Sequence, residues 1–166
     1  REQVERLRAD FAEFARSMEL ARVCVVNLAS TEVHREPRDE WGSLAALERA
    51  LDAAVGQPAS VLYAYAALSS GMPFVNFTPA LGASIPALRE LARERGVPHC
   101  GNDGKTGETL VKTVLAPMFA ARRLRVLAWK GYNMLGNRDG AVMRDSLHCA
   151  SKLANKDAVV RSILGQ

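Results

Sequence analysis

The 166 residues, 48% hydrophobic and 24% charged, are enough to bury a core and make one ordinary globular unit, though short for a two-substrate dehydrogenase. A net charge of +4, with Lys and Arg scattered among Asp and Glu, excludes a basic stripe or tail and disfavours nucleic acid as partner. Cys24, Cys100 and Cys149 form no CxxC pair and leave an odd count, which fits reduced thiols in a cytoplasm better than a disulfide framework, and no structural zinc site is readable.

Leu7, Phe11, Phe14 and Met18 make a helical stripe at once, so the chain opens inside an element, and an N-terminal portion is expected before Arg1. Val23 to Leu28 reads as a buried strand, and Ala29-Ser30-Thr31-Glu32 ends it with small polar residues, the first ligand-facing strand end. A charged loop from Val33 to Trp41 precedes a helix carrying Leu44, Leu47 and Leu51. A second helix is expected from a cap at Ser60 to Gly71. Phe74 to Phe77 is the next strand, broken by Thr78-Pro79. A Gly-containing turn then feeds a helix with Ile85, Leu88 and Leu91 that stops at Gly96. Val97 to Cys100 is strand again, and Gly101 to Gly107 leads into an amphipathic helix with Leu110, Val114, Leu115, Met118 and Phe119. Leu124 to Trp129 reads as a further strand running into a polar loop, Lys130 to Arg144. Apolar runs such as Val23 to Val26 and Val61 to Leu68 are too short to span a bilayer, so no membrane partner is expected.

Strands alternating with helices imply βαβ crossovers and a mainly parallel sheet, a doubly wound α/β domain. Ligands then collect at strand carboxyl ends, so the loops at Thr31, Thr78 and Asp103 are expected at one edge.

Two loops and a lysine pair carry possible chemistry. GNDGKTGET, from Gly101 to Thr109, brings glycines, a carboxylate, a lysine and hydroxyls to a strand-to-helix turn, where unpaired N–H groups and the positive helix end suit an anion. It is not a Walker A loop, and a Thr-capped helix after a glycine turn explains it as well. Asp103 leans toward a ligand, since carboxylates at such turns meet metals, ribose or nicotinamide. The loop from Tyr132 to Gly140 holds Asn133, Asn137 and Asp139, groups that read sugar hydroxyls, although Asn-Gly and Asp-Gly chemistry also makes ordinary turns. Lys152 and Lys156, at i and i+4, share a helix face. Such lysines depress each other's pKa, yet an arbitrary pair is usually a solvated basic face. His34, His99 and His148 form no HxxxH or HExxH pattern, and Cys100 and Cys149 read as small buried fillers rather than nucleophiles.

Taken together and in this order, GNDGKTGETLVKT, GYNMLGNRDG and SKLANK resemble the myo-inositol-1-phosphate synthase (inositol-3-phosphate synthase) family, its prokaryotic branch most closely. The strand ends VNLASTE and FVNFTP are also similar, so the likeness covers nearly the whole chain as a central segment lacking both ends. The resemblance implies a Rossmann-like, mainly parallel sheet over 1–104, part of the NAD-binding domain. From 105 to 166 it implies part of a second α+β domain for catalysis and tetramerisation.

The implied activity is NAD-dependent conversion of D-glucose 6-phosphate to 1D-myo-inositol 3-phosphate. Its steps are oxidation at C5, enolisation, intramolecular aldol closure and reduction, in inositol and phospholipid biosynthesis by a cytoplasmic homotetramer. By resemblance Lys152, Lys156 and Asp103 are catalytic. Thr106, Gly107, Glu108 and Thr109 meet the substrate phosphate, and Asn133, Leu135, Asn137 and Asp139 hold the sugar chain. Asn27, Ala29, Ser30, Thr31, Asn76, Thr78, Pro79, Asp103 and Gly104 face NAD. Asp103 is also the candidate for a metal, and the family pattern admits a metal or ammonium cation near the phosphate. Glu108 departs from the glutamine expected there, and Met134 replaces a histidine of eukaryotic members. The Gly-rich dinucleotide loop is expected before Arg1 and two further lysines after Gln166, so these residues alone are expected to be inactive. Two other readings stand beside this one: a relative acting as another sugar-phosphate cyclase, and a non-catalytic scaffold or regulatory homologue.

Overall fold

The computed structural model describes residues 1–30, 32–33, 35–104, 107–131 and 160–165, and the chain divides into two compact units, Arg1–Asp103 and Gly104–Gln166. In the first unit β1 (Val25–Asn27), β2 (Phe74–Asn76) and β3 (His99–Cys100) form a parallel sheet in that order. Asn27 pairs with Asn76, and Phe74 and Val75 pair with His99 and Cys100. All three strands run the same way, so their carboxyl ends and the loops beginning there share one edge.

Around the sheet stand α1 (Glu2–Ser17), α2 (Leu44–Asp52), α3 (Ala59–Ser69) and α4 (Pro86–Arg95). The α3 sequence, ASVLYAYAALS, is apolar on nearly every side and is buried accordingly, packing against α1, α4 and β2. Leu47, Val61, Leu68, Phe74 and Leu88 are fully buried in one cluster. Each such side chain contributes about 1.5–3 kcal/mol. Proline at the first position of α4 and Gly96 just past its end, at φ 62°, fix that helix from both sides.

Several sequence expectations are corrected. The N-cap of α3 is Pro58, and Ser60 lies inside the first turn, where its N–H and hydroxyl donate to the Glu32 carboxylate at 2.8 and 2.5 Å. A carboxylate from a distant loop therefore does the capping that a local serine was expected to do. Strand β1 is not buried on both faces: Val26 is 46% exposed, on the face it shares with half-buried Val75 and exposed Cys100, and Leu28 just past the strand is 75% exposed. The stripe on α1 is buried at Val4 and partly buried at Leu7 and Phe11, but Phe14 and Met18 lie exposed near its end. Cys100 is exposed at the end of β3 rather than buried.

In the second unit α5 (Gly107–Ala121) forms where the amphipathic helix was expected, with Leu115 and Phe119 of the expected stripe half-buried and the rest of it uncovered. Thr109, Lys112 and Ala116 are buried while Leu110, Val114 and Met118 are exposed, because burial follows what packs on a face rather than its polarity. Leu124 to Trp129 is not a strand: no ladder partner for it occurs among the described residues, and Leu127 is 83% exposed. An extended segment without a partner gains no hydrogen bonds from being extended.

Candidate functional site

At the carboxyl edge of the sheet the side chains organise the loops. Asn76, 2% exposed, accepts at Oδ1 from the Thr78 N–H (3.1 Å), the Thr78 hydroxyl (2.8 Å) and Nδ2 of Asn27 (3.2 Å). Its own Nδ2 donates to the Ala80 carbonyl at 2.8 Å. Asn27 in turn accepts the Ala29 N–H at 3.1 Å, and the Thr78 hydroxyl accepts the Ala80 N–H at 3.3 Å. These are the local bonds by which Asn and Thr end strands and start turns. Asn76 uses both ends of its carboxamide inside the protein, so it ties together the loops that begin at this edge.

Two glycines let the loops close on Asn76, one on its backbone and one on its carboxamide. At Gly101 (φ +94°) a Cβ would stand 2.2 Å from the Asn76 carbonyl oxygen, and at Gly82 (φ +48°) it would stand 2.6 Å from Asn76 Nδ2. Only a residue without Cβ allows this approach. The next loop carries Asp103 at φ 95°, a conformation that a non-glycine residue rarely adopts and that accumulates at ligand sites. Ala29, Ser30 and Asn102 are exposed along the same edge.

In the second unit, α5 starts at Gly107 (φ 53°) and buries Thr109 in its first turn. Glu108 Oε1 lies 3.2 Å from Lys112 Nζ, and that ammonium stands 5.9 Å from the Trp129 ring centroid.

The structure brings Asn27, Ala29, Ser30, Asn76, Thr78, Pro79 and Asp103 to the sheet edge of the first unit. Gly104, Gly107, Glu108 and Thr109 belong to the second unit, at or before the start of α5. Thr31, Thr106, Asn133, Leu135, Asn137, Asp139, Lys152 and Lys156 lie outside the described residues. Sequence reasoning missed Lys112, 4% exposed, whose signal was its place at i+4 from Glu108 in an otherwise apolar stretch. Among the described residues no group of three or more His, Cys, Asp or Glu could hold a metal, and no helix is long and apolar enough to cross a membrane.

A model of the NAD-binding domain of myo-inositol-1-phosphate synthase matches residues 1–156. The chain belongs to the myo-inositol-1-phosphate synthase family. It is 44% identical over 165 residues to inositol-3-phosphate synthase 1 of Bacteroides thetaiotaomicron, covering 98% of this chain and 38% of that protein. To the Rattus norvegicus enzyme of the same name it is 33% identical over 160 residues, covering 96% of this chain and 28% of that one. The crystal structure of inositol-3-phosphate synthase from Caenorhabditis elegans superposes with a TM-score of 0.89 at 26% identity, over 96% of this chain and 32% of the other. The chain thus spans well under half the length of these synthases. Ligands of open α/β sheets bind at such a carboxyl edge, and the matched family model is that of an NAD-binding domain.

Proposed function

We propose that this chain is the central part of an inositol-3-phosphate synthase that converts D-glucose 6-phosphate to 1D-myo-inositol 3-phosphate with NAD. The reading is carried by the shared carboxyl edge of β1, β2 and β3, where Gly82 and Gly101 close loops onto Asn76 in a chain of this family. NAD held at this edge would supply hydride transfer from the sugar and back to it. Asn27, Ala29, Ser30, Thr31, Thr78, Pro79, Asp103 and Gly104 would line the nucleotide, with Asn76 holding the two loops in place. Asp103 would lie near the nicotinamide and is the candidate to hold a cation.

The turn from Thr106 to Thr109 would receive the substrate phosphate, because the first turn of a helix offers N–H groups without intrahelical partners and a positive dipole end. Asn133, Leu135, Asn137 and Asp139 would hold the sugar chain. Lys152 and Lys156 would stabilise the oxygen anions formed at C5 oxidation, enolisation and aldol closure, and exchange protons with them. Residues 1–104 would serve the nucleotide and 105–166 the substrate. The whole protein would act as a cytoplasmic homotetramer in inositol and phospholipid biosynthesis.

Incubation of the full-length protein with glucose 6-phosphate and NAD, followed by product identification, tests this. A myo-inositol phosphate without net NADH is expected. A different cyclitol would make it another sugar-phosphate cyclase, and no turnover under conditions where NAD binds would favour a non-catalytic homologue.

A further inference from the structure

Lys112 is 4% exposed, which a lysine tolerates only with partners. Glu108, one turn earlier on α5, provides a carboxylate oxygen at 3.2 Å, in the favourable Glu-before-Lys order. The indole of Trp129 faces the ammonium at 5.9 Å and itself meets Phe119 edge-on at 6.3 Å. From another side the backbone at Gly131 runs so near that a Cβ there would stand 2.9 Å from the carboxylate carbon of Glu108. Helix, indole and backbone therefore hold one side-chain pair in one arrangement.

The position of Glu108 makes this arrangement matter. A carboxylate in the first turn competes for the N–H groups and dipole that an incoming anion would use, and it repels that anion directly. Glu108 is nevertheless in the first turn of α5, next to Gly107. We propose that Lys112 is a positioning residue that neutralises Glu108 and holds its carboxylate off the anion-binding turn, so that the turn accepts the phosphate of a sugar phosphate. The proposal rests on the reading of that turn as the phosphate site and adds the residue that makes a carboxylate compatible with it. Lys112 acts through Glu108, so removing both charges should be far less harmful than removing the lysine alone.

The test measures inorganic phosphate binding, its competition with glucose 6-phosphate, and steady-state kinetics in the full-length protein. It compares Lys112→Gln, Glu108→Gln and the double variant, with melting temperatures for all. Lys112→Gln should weaken phosphate and raise KM for glucose 6-phosphate about tenfold or more, with a smaller fall in kcat. Glu108→Gln should tighten phosphate binding about two- to fivefold, and the double variant should return to within about threefold of the unaltered protein. A purely structural lysine would lower the melting temperature of both Lys112 variants with no such rescue of affinity. Unchanged phosphate affinity in Lys112→Gln, or a double variant as weak as that single one, would overturn the proposal while leaving the phosphate turn standing. Should Lys112→Gln not fold, Glu108→Gln decides: a loss of phosphate affinity there makes Glu108 a ligand and the proposal wrong. If inorganic phosphate does not compete with glucose 6-phosphate in the unaltered protein, the phosphate-turn reading fails and this proposal with it.

Discussion

At the scale of single residues, Gly101 is the position with the least freedom. An added methyl group would meet the Asn76 carbonyl oxygen at 2.2 Å, which is backbone and cannot swing aside, and φ +94° is itself strained for any other residue. Gly101→Ala is expected to lower stability by about 2–4 kcal/mol, read as a drop in urea midpoint without a change in slope. A variant within about 0.5 kcal/mol of the parent would mean that the β3 loop does not sit against Asn76. His99 gives a pH signature. Burial, followed by the nearby Arg89 guanidinium, holds its imidazole below the ordinary 6.5. Below that value the unfolded chain takes up the proton more readily than the folded one, so His99's contribution is complete above about pH 6.5 and lost as pH falls through the folded value. The melting temperature should therefore decline as pH falls below about 6.5, and His99→Gln should make that decline shallower. For the reaction, Lys156→Ala in the full-length protein should abolish turnover yet leave NAD affinity within about threefold. Lys156→Arg should also fail, since a guanidinium keeps the charge but gives up no proton; retained turnover in either variant removes Lys156 from the mechanism.

At the scale of elements, two helices are capped from afar. Glu32 receives the Ser60 N–H and hydroxyl at the start of α3, and Glu90, on α4, receives the Leu44 N–H at 2.6 Å at the start of α2. Ser43 also caps α2 locally, accepting the Ala46 N–H at 3.3 Å, whereas Pro58 at the start of α3 offers no side-chain acceptor. Glu32→Ala should accordingly cost about 1–2 kcal/mol, more than Ser43→Ala, where Glu90 still serves the same helix end. Thermal melts of the two variants check this, and an equal or reversed order would show that the Glu32 contact contributes little. Inside α3, Tyr65 shows how burial and a carboxylate act together. Desolvation first, and its hydrogen bond to Glu48 at 2.8 Å second, push the phenol up to about 12, so it remains a donor throughout the working range.

At the scale of the molecule, the 166 residues contain the strand ends and the glycine turn but no G-x-G-x-x-G segment to cradle a pyrophosphate. A polypeptide of these residues alone should show neither micromolar NAD binding nor turnover of glucose 6-phosphate. Titration calorimetry with NAD and a coupled assay would check both, and micromolar binding would show that the edge of β1–β3 suffices without that turn. The chain spans 38% of the bacterial synthase it matches, so the activity proposed above belongs to the whole protein.

Periodicity and punctuation made most of the first unit legible. Leu44, Leu47 and Leu51 repeat at helical spacing, Gly96 stops α4, and Val25, Phe74 and His99 fall in strands flanked by polar breaks. Parallel order followed from helices lying between the strands, and the ligand edge followed from parallel order. What needed the tertiary structure was every property that depends on a partner distant in sequence. The cap on α3 comes from Glu32, the close approach at Gly101 is to Asn76, and Val26 of β1 lies on a sheet face left partly open across all three strands. Leu124 to Trp129 has the residues of a strand but no ladder, and α5 buries Lys112 while exposing Leu110 and Val114. A sequence fixes which face of a helix is apolar and which residues favour extension. Packing decides which face is covered, because burial energy is gained only where another surface arrives.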